Sequence, residues 1–244
     1  MDDAKYAIAA EAVAGIREQV LSDAWRGSFR HESFTEKFVE AARRSHCFVD
    51  AGAEFGFYAW LALAHMPDPK RLFLFEPEPE RHLALQQAFE PHAEVSVLPF
   101  AVADRARTIR MYKESVDHSC TLDAALSQSA VSVASESFEV AAVALDDCFP
   151  DAPDAVDLVK MDIEGAEVFA LQGMERVLAA GRAELFLEYH PAYVRSCHPE
   201  GERRVHELLR RHGYGMFSCQ GLEITPLSAL ATRTYLKPTP PRRH

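Results

Sequence analysis

The stretch Cys47-Phe48-Val49-Asp50-Ala51-Gly52-Ala53-Glu54-Phe55-Gly56-Phe57-Tyr58 constrains this chain more than any other. A short apolar run ends abruptly in an acid and is followed by two glycines in the spacing DxGxxxG. A buried parallel strand hands over to a helix in this way where the turn curls round a nucleoside-like ligand. A second apolar run, Leu72-Phe73-Leu74-Phe75, ends in Glu76-Pro77 and puts another carboxylate at the tip of the expected neighbouring strand. Ligands of open α/β sheets collect outside the carboxyl ends of the strands, so the pattern locates a site together with a fold.

Two acids at adjacent strand tips suit a ribose and an amino group. A dinucleotide is disfavoured, because a GxGxxG turn needs its middle glycine for backbone to approach a pyrophosphate. Here Glu54 would turn bulk and negative charge towards that group. S-adenosylmethionine has no phosphate and carries a sulfonium and an ammonium, and it is the expected cofactor. The plainer reading of the same residues is that Gly52 and Gly56 permit a tight turn and close helix packing, with Glu76 as a helix N-terminal charge.

At 244 residues, 48% of them apolar, the chain can bury a core as one large α/β domain or as two small ones. A formal net charge of -11 disfavours nucleic acid as a partner, since phosphate recognition rests on clustered Lys and Arg. The cysteines Cys47, Cys120, Cys148, Cys197 and Cys219 form no CxxC, which suggests neither a disulfide framework nor a zinc site and fits a reducing cytosol. Asp2, Asp3 and Glu11 stand where a signal peptide needs a basic region, and no apolar run reaches membrane-spanning length. The expectation is a cytoplasmic protein with no membrane partner.

Along the chain, Ala9, Val13, Ile16 and Val20 recur at helical spacing, and a second amphipathic stretch runs over 35–43. Residues 1–44 are expected to form an N-terminal helical cap, 45–238 the cofactor-binding domain, and 239–244 a tail. From Cys47 on, strand-like runs alternate with helix-like ones, the signature of a doubly wound, mostly parallel sheet. Strands are expected at 47–50, 71–76, 94–99, 156–161 and 184–189, with helices over 55–65, 80–89, 167–178 and 202–212. Further strands are expected at 108–112, 138–145, 216–219 and 232–236. A Ser-rich insertion near 113–137 is read either as a surface excursion or as a cover over the active site.

Val49-Asp50-Ala51-Gly52-Ala53, Phe75-Glu76-Pro77 and Leu158-Val159-Lys160-Met161-Asp162-Ile163-Glu164-Gly165-Ala166-Glu167 together resemble the FkbM family of S-adenosylmethionine-dependent methyltransferases. Thr121-Leu122, Leu145-Asp146 and Glu188-Tyr189-His190 agree with it, and the likeness covers roughly 35–190. It implies the class I methyltransferase fold, a Rossmann-like seven-stranded sheet with one antiparallel strand near its edge. It also implies that Asp50, Gly52, Glu54 and Gly56 line the cofactor, with Glu76 and Pro77 at the ribose and Tyr58 near the methionine carboxylate. The family often has Asn-Ile-Gly where this chain has Glu54-Phe55-Gly56.

Methyl transfer from a sulfonium is an in-line displacement, so the protein chiefly aligns the partners and removes one proton. The candidates are Asp162 and Glu164 after the fourth strand and His190 after the fifth, with His190 the most natural general base. The competing readings make either acid a helix N-terminal charge, His190 a turn residue before Pro191, and Lys160-Asp162 a structural ion pair. No metal is expected, because no His or Cys cluster stands at ligand spacing, although Asp162 and Glu164 could hold magnesium. The acceptor is expected to be a hydroxyl on a small molecule, a sugar or a natural-product intermediate. A peptide or amide nitrogen, a non-catalytic cofactor-binding module and a nicotinamide-dependent oxidoreductase are the alternatives. A homodimer is compatible with the sequence.

Overall fold

Continuous apolar strands need cover on both faces, and the fully buried runs 47–51 and 158–161 lie side by side within the sheet. The structure, a computed structural model, describes residues 3–27, 32–113, 120–121, 136–217 and 233–238. In chain order the elements begin with α1 (Asp3–Leu21), α2 (Glu32–Ala42), β1 (Cys47–Ala51), α3 (Phe57–His65), β2 (Arg71–Phe75), α4 (Pro79–Phe89) and β3 (Val95–Leu98). Next come β4 (Ala101–Val102), β5 (Arg107–Lys113), β6 (Cys120–Thr121), β7 (Glu136–Val143) and the short α5 (Leu145–Cys148). The last part comprises β8 (Leu158–Met161), α6 (Glu167–Gln172), α7 (Glu175–Ala180), β9 (Glu184–Glu188), α8 (Pro191–Cys197), α9 (Gly201–Arg211), β10 (Tyr214–Phe217) and β11 (Arg233–Pro238).

The main sheet has seven strands in the order β10-β11-β9-β8-β1-β2-β3. β1 pairs in parallel with β2 on one side and β8 on the other, and every residue of β1 and β8 is buried. β11 runs antiparallel to both β9 and β10, which is the single reversed strand near the edge that the class I methyltransferase fold requires. The chain winds outward from β1 through β2 to β3 and then returns to the far side of β1 at β8. The strand order therefore reverses between β1 and β8, and the crevice at their carboxyl ends is where a ligand is expected.

The N-terminal helices belong to the packing of one face of this sheet. Phe34 and Phe38 of α2 meet Phe186 of β9 edge to face at 5.3 and 5.4 Å, and Phe38 meets Phe48 of β1 at 5.3 Å. Fully burying a phenylalanine contributes about 1.5–3 kcal/mol, and an edge-to-face ring pair adds about 0.5–1.5 kcal/mol. Ala9, Val13 and Val20 of α1 are buried in the same cluster, and Ile16 is partly buried against it.

Four differences from the sequence reading have local causes. The strands expected at 108–112 and 138–145 pair with each other outside the main sheet, in a four-stranded sheet ordered β4-β7-β5-β6. The strand expected to reach Leu145 stops at Val143, and Leu145 opens α5. The single helix expected over 167–178 is broken into α6 and α7. A Cβ at Gly173 would stand 1.9 Å from the Ala103 carbonyl oxygen, so the chain passes there as bare backbone. Beyond it α7 starts afresh, with the Asp146 carboxylate accepting the N–H groups of Arg176 and Val177 at 2.9 and 3.1 Å. Finally, the chain after His190, to which the sequence reading gave no element, forms helix α8, with His190 at its N-cap and Pro191 in its first turn. The Ser-rich insertion, apart from 113, 120–121 and 136–137, and the 239–244 tail lie outside the described residues. No described helix is long and apolar enough to cross a membrane.

Candidate functional site

The loop after β1 is tied to the tip of β2 by its own backbone. The N–H groups of Gly52 and Ala53 both donate to the Phe75 carbonyl, at 3.0 and 3.1 Å. Gly52 has φ +80, and a Cβ there would lie 2.0 Å from the Asp162 carbonyl oxygen, so the residue meets both a conformational and a steric demand. Gly56, at φ +82, caps α3 and packs against α4. Glu54, between them, takes a left-handed φ of +52 without being glycine. That conformation points its N–H at Glu76 Oε2, 2.8 Å away, and the Glu78 N–H holds Glu76 Oε1 at 2.9 Å.

Glu76 is 4% exposed and Asp50 2% exposed. Burial pushes Glu76 up to about 7, although the Arg81 charge and its two backbone donors pull the other way. Burial also pushes Asp50 up to about 7, with the Lys160 charge opposing and the carboxylates of Asp162, Glu76 and Glu54 adding to the rise. Two clefts open beside this loop and share Gly52, Glu54 and Asp162. The first, about 850 Å³ including open solvent, is lined by Glu76 and Pro77 together with the apolar Phe100, Ile109, Met111 and Ile163. The second, about 910 Å³ including open solvent, is bordered by Asp50, Tyr58, Lys160 and Glu188.

Lys160 is 2% exposed. Its Nζ lies 3.5 Å from Asp162 Oδ2, 3.9 Å from Glu188 Oε2 and 4.9 Å from the Tyr58 ring centre. Burial works to lower this ammonium, but Asp162, Tyr58, Glu188 and Asp50 outweigh it and leave the group raised. The structural ion pair foreseen for Lys160 and Asp162 is therefore present. Tyr58 also packs edge to face on Phe38, with ring centres 4.8 Å apart, so it serves the core and the second cleft at once.

Asp162 follows β8 with its N–H on the Ala51 carbonyl at 3.0 Å, which seats it at the β1–β8 reversal. Glu164 takes a left-handed φ of +49 in the next turn. His190 arrives from the end of β9, so that its Nε2 is 3.6 Å from Glu164 Oε2 and its Nδ1 is 3.9 Å from Asp162 Oδ1. All three candidate catalytic residues are thus brought together. On the protein side of the imidazole, Glu167 is fully buried with Oε1 3.5 Å from Nδ1. Burial works to lower His190, but the adjoining Glu167 and the charges of Glu164 and Asp162 prevail and raise it to about 9.

Three contributors escaped the sequence reading, Glu167, Ile109 and Met111. Glu167 reads equally as an ordinary acid in a helix's first turn. Ile109 and Met111 reach the first cleft from the second sheet, whose placement no local pattern announces.

Residues 50–216 match the Methyltransferase FkbM domain family. Among solved structures the chain is similar to a methyltransferase FkbM from Methylobacillus flagellatus, at 21% identity and TM-score 0.49 over 79% of this chain and 43% of that one. The chain therefore spans less than half the length of that relative. It is also similar to a precorrin-6y C5,15-methyltransferase from Geobacter metallireducens, at 12% identity and TM-score 0.42, covering 86% and 90% of the two chains. A protein from Corynebacterium glutamicum is similar at 13% identity and TM-score 0.49, covering 96% and 92%. No curated protein matches the chain.

Proposed function

Because this chain belongs to the FkbM methyltransferase domain family, we propose that it is a cytoplasmic enzyme that transfers a methyl group from S-adenosylmethionine to a hydroxyl of a small molecule, a sugar or a natural-product intermediate. The observation that carries this reading is the buried Glu76 carboxylate, gripped by the Glu54 and Glu78 N–H groups and bordering a cleft that Phe100, Ile109, Met111 and Ile163 also line. Each of its oxygens keeps acceptor capacity for one of two vicinal hydroxyls, and bonds to a charged acceptor are the strong kind. The apolar side chains of the same cleft suit a flat base. The acid-rich surroundings of Asp50, Asp162 and Glu188 suit a ligand that carries a sulfonium and an ammonium.

When bound, S-adenosylmethionine supplies a methyl group already activated on sulfur. The acceptor oxygen forms the new C–O bond as the S–CH3 bond breaks, its electron pair stays on sulfur, and the hydroxyl proton has to leave. Asp162, Glu164 and His190 are the groups within reach of the strand reversal. With His190 raised to about 9, its imidazole is protonated at neutral pH and acts there as a charge. Asp162 or Glu164 then takes the proton, so a carboxylate replaces the histidine as the preferred base. Gly52, Glu54 and Asp162 border both clefts, so a donor in one and an acceptor in the other would meet beside them.

Incubating the purified protein with methyl-labelled S-adenosylmethionine and fractionated extract tests this proposal. Label in an alkali-stable product ether, with S-adenosylhomocysteine formed in equal amount, is the expected result. Label on nitrogen would replace the oxygen reading. Binding of the cofactor without turnover against any fraction would favour a non-catalytic module.

A further inference from the structure

We propose that Asp162, Glu164 and His190 bind a divalent first-row metal ion of the Mn2+ class at the mouth of the β1–β8 reversal. Each offers one ligand atom, and the three atoms lie within 4.8 Å of one another. Bonds of about 2.0–2.2 Å from carboxylate and imidazole to a metal put neighbouring ligand atoms roughly 3–3.6 Å apart. Glu164 Oε2 and His190 Nε2 already stand 3.6 Å apart. The three ligands come from the end of β8, the strained turn after it and the end of β9, so the constellation exists only in the folded chain. The sequence expectation of a metal-free site did not foresee the histidine joining the two acids.

A separate observation points the same way. Glu167 is 0% exposed and lies behind the imidazole, with Oε1 3.5 Å from Nδ1 and Oε2 lacking a hydrogen-bond partner. Nδ1 makes no hydrogen bond as it stands, but a buried carboxylate beside one ring nitrogen, with the other nitrogen turned to a second acid, is the usual support of a metal-binding histidine. Asp162 Oδ1 is likewise covered and has no hydrogen-bond partner. Three carboxylates surround the imidazole, Lys160 pairs with Asp162 Oδ2, and a bound ion would displace the proton from Nε2. Two carboxylates and one imidazole, with room for water, suit Mn2+ or Zn2+ better than a thiolate-seeking ion. Asp162 and Glu164 also line the first cleft, so an ion held there would be within reach of an oxygen of the acceptor. Only that last role rests on the methyltransferase reading.

Titrating the purified chain with MnCl2 and following free Mn2+ by electron paramagnetic resonance tests the site. One Mn2+ per chain in the micromolar range is expected, with electron spin-echo modulation from a single imidazole nitrogen in the wild type. Glu164→Gln and His190→Gln should each weaken binding at least ten-fold, and Glu167→Gln about ten-fold through its hold on the ring. No binding up to millimolar Mn2+, no nitrogen modulation, or undiminished binding in both Glu164→Gln and His190→Gln would overturn the proposal. Calorimetry with S-adenosylhomocysteine on the same samples keeps the two ideas apart. Failure of the wild type to bind it sinks the cofactor reading whatever Mn2+ does, whereas its binding without Mn2+ sinks only the metal.

Discussion

The backbone N–H of Glu54 donates to Glu76 Oε2 over 2.8 Å, joining the loop after β1 to the tip of β2. Residue 54 makes this contact with its main chain, at a left-handed φ of +52. A glutamate therefore serves here in a conformation that asparagine adopts more readily.

Glu76→Ala should fold and bind S-adenosylhomocysteine about ten- to a hundred-fold more weakly, since a hydrogen bond to a charged acceptor contributes about 1.5–3 kcal/mol. Calorimetry on both proteins measures it. Equal affinities would remove Glu76 from the ribose site.

Burial raises Glu76 from the usual 4.5 to about 7, and the sign of its pH effect follows. Between these values the folded chain keeps a proton that the unfolded chain has lost, so this group's contribution to stability falls as pH rises through the window. Ribose hydroxyls favour the ionised carboxylate, so binding S-adenosylhomocysteine near pH 6.5 should release protons. Calorimetric heats should then differ between phosphate and Tris buffers, and the difference should shrink in Glu76→Gln. Identical heats in the two buffers would contradict the assignment.

Gly52→Ala should be far more damaging than Gly181→Ala. Both glycines have positive φ, at +80 and +66, but a Cβ at position 52 meets the Asp162 carbonyl at 2.0 Å while position 181 has open space. The expected losses are several kcal/mol at 52 and about 1 kcal/mol at 181, read by urea unfolding. Similar midpoints for the two variants would show that the crossing relaxes cheaply.

Glu54→Asn should raise stability by about 0.5–1 kcal/mol, or roughly 1–4 °C in Tm, by relieving a left-handed glutamate while keeping the N–H on Glu76. A thermal melt decides the sign. A lower Tm would mean that the Glu54 side chain itself supports the loop.

Much of the site was legible because its determinants are local. Asp50, Gly52, Gly56 and Glu76 each mark a strand tip or a turn by their own chemistry; Asp50, Gly52 and Glu76 line the two clefts, whereas Gly56 caps α3 and packs against Leu85 and Phe89. Helix 167–178 was misjudged for the opposite reason. Its break depends on Ala103 passing over Gly173, a contact that no helical period records.

The sequence by itself determined the parallel sheet, the glycine turn and the acids at the strand ends. Strands buried on both faces have to be apolar throughout, and a left-handed turn has to be nearly free of side chains. Only the tertiary structure decided that Lys160 sits among Asp162, Glu188 and Tyr58, and that His190 closes on Asp162, Glu164 and Glu167. Those encounters follow from the parallel register of β8 on β9, with Met161 opposite Leu187, which brings the two strand ends side by side. Residues that distant along the chain share no local pattern, and only the pairing of their strands brings the groups into contact.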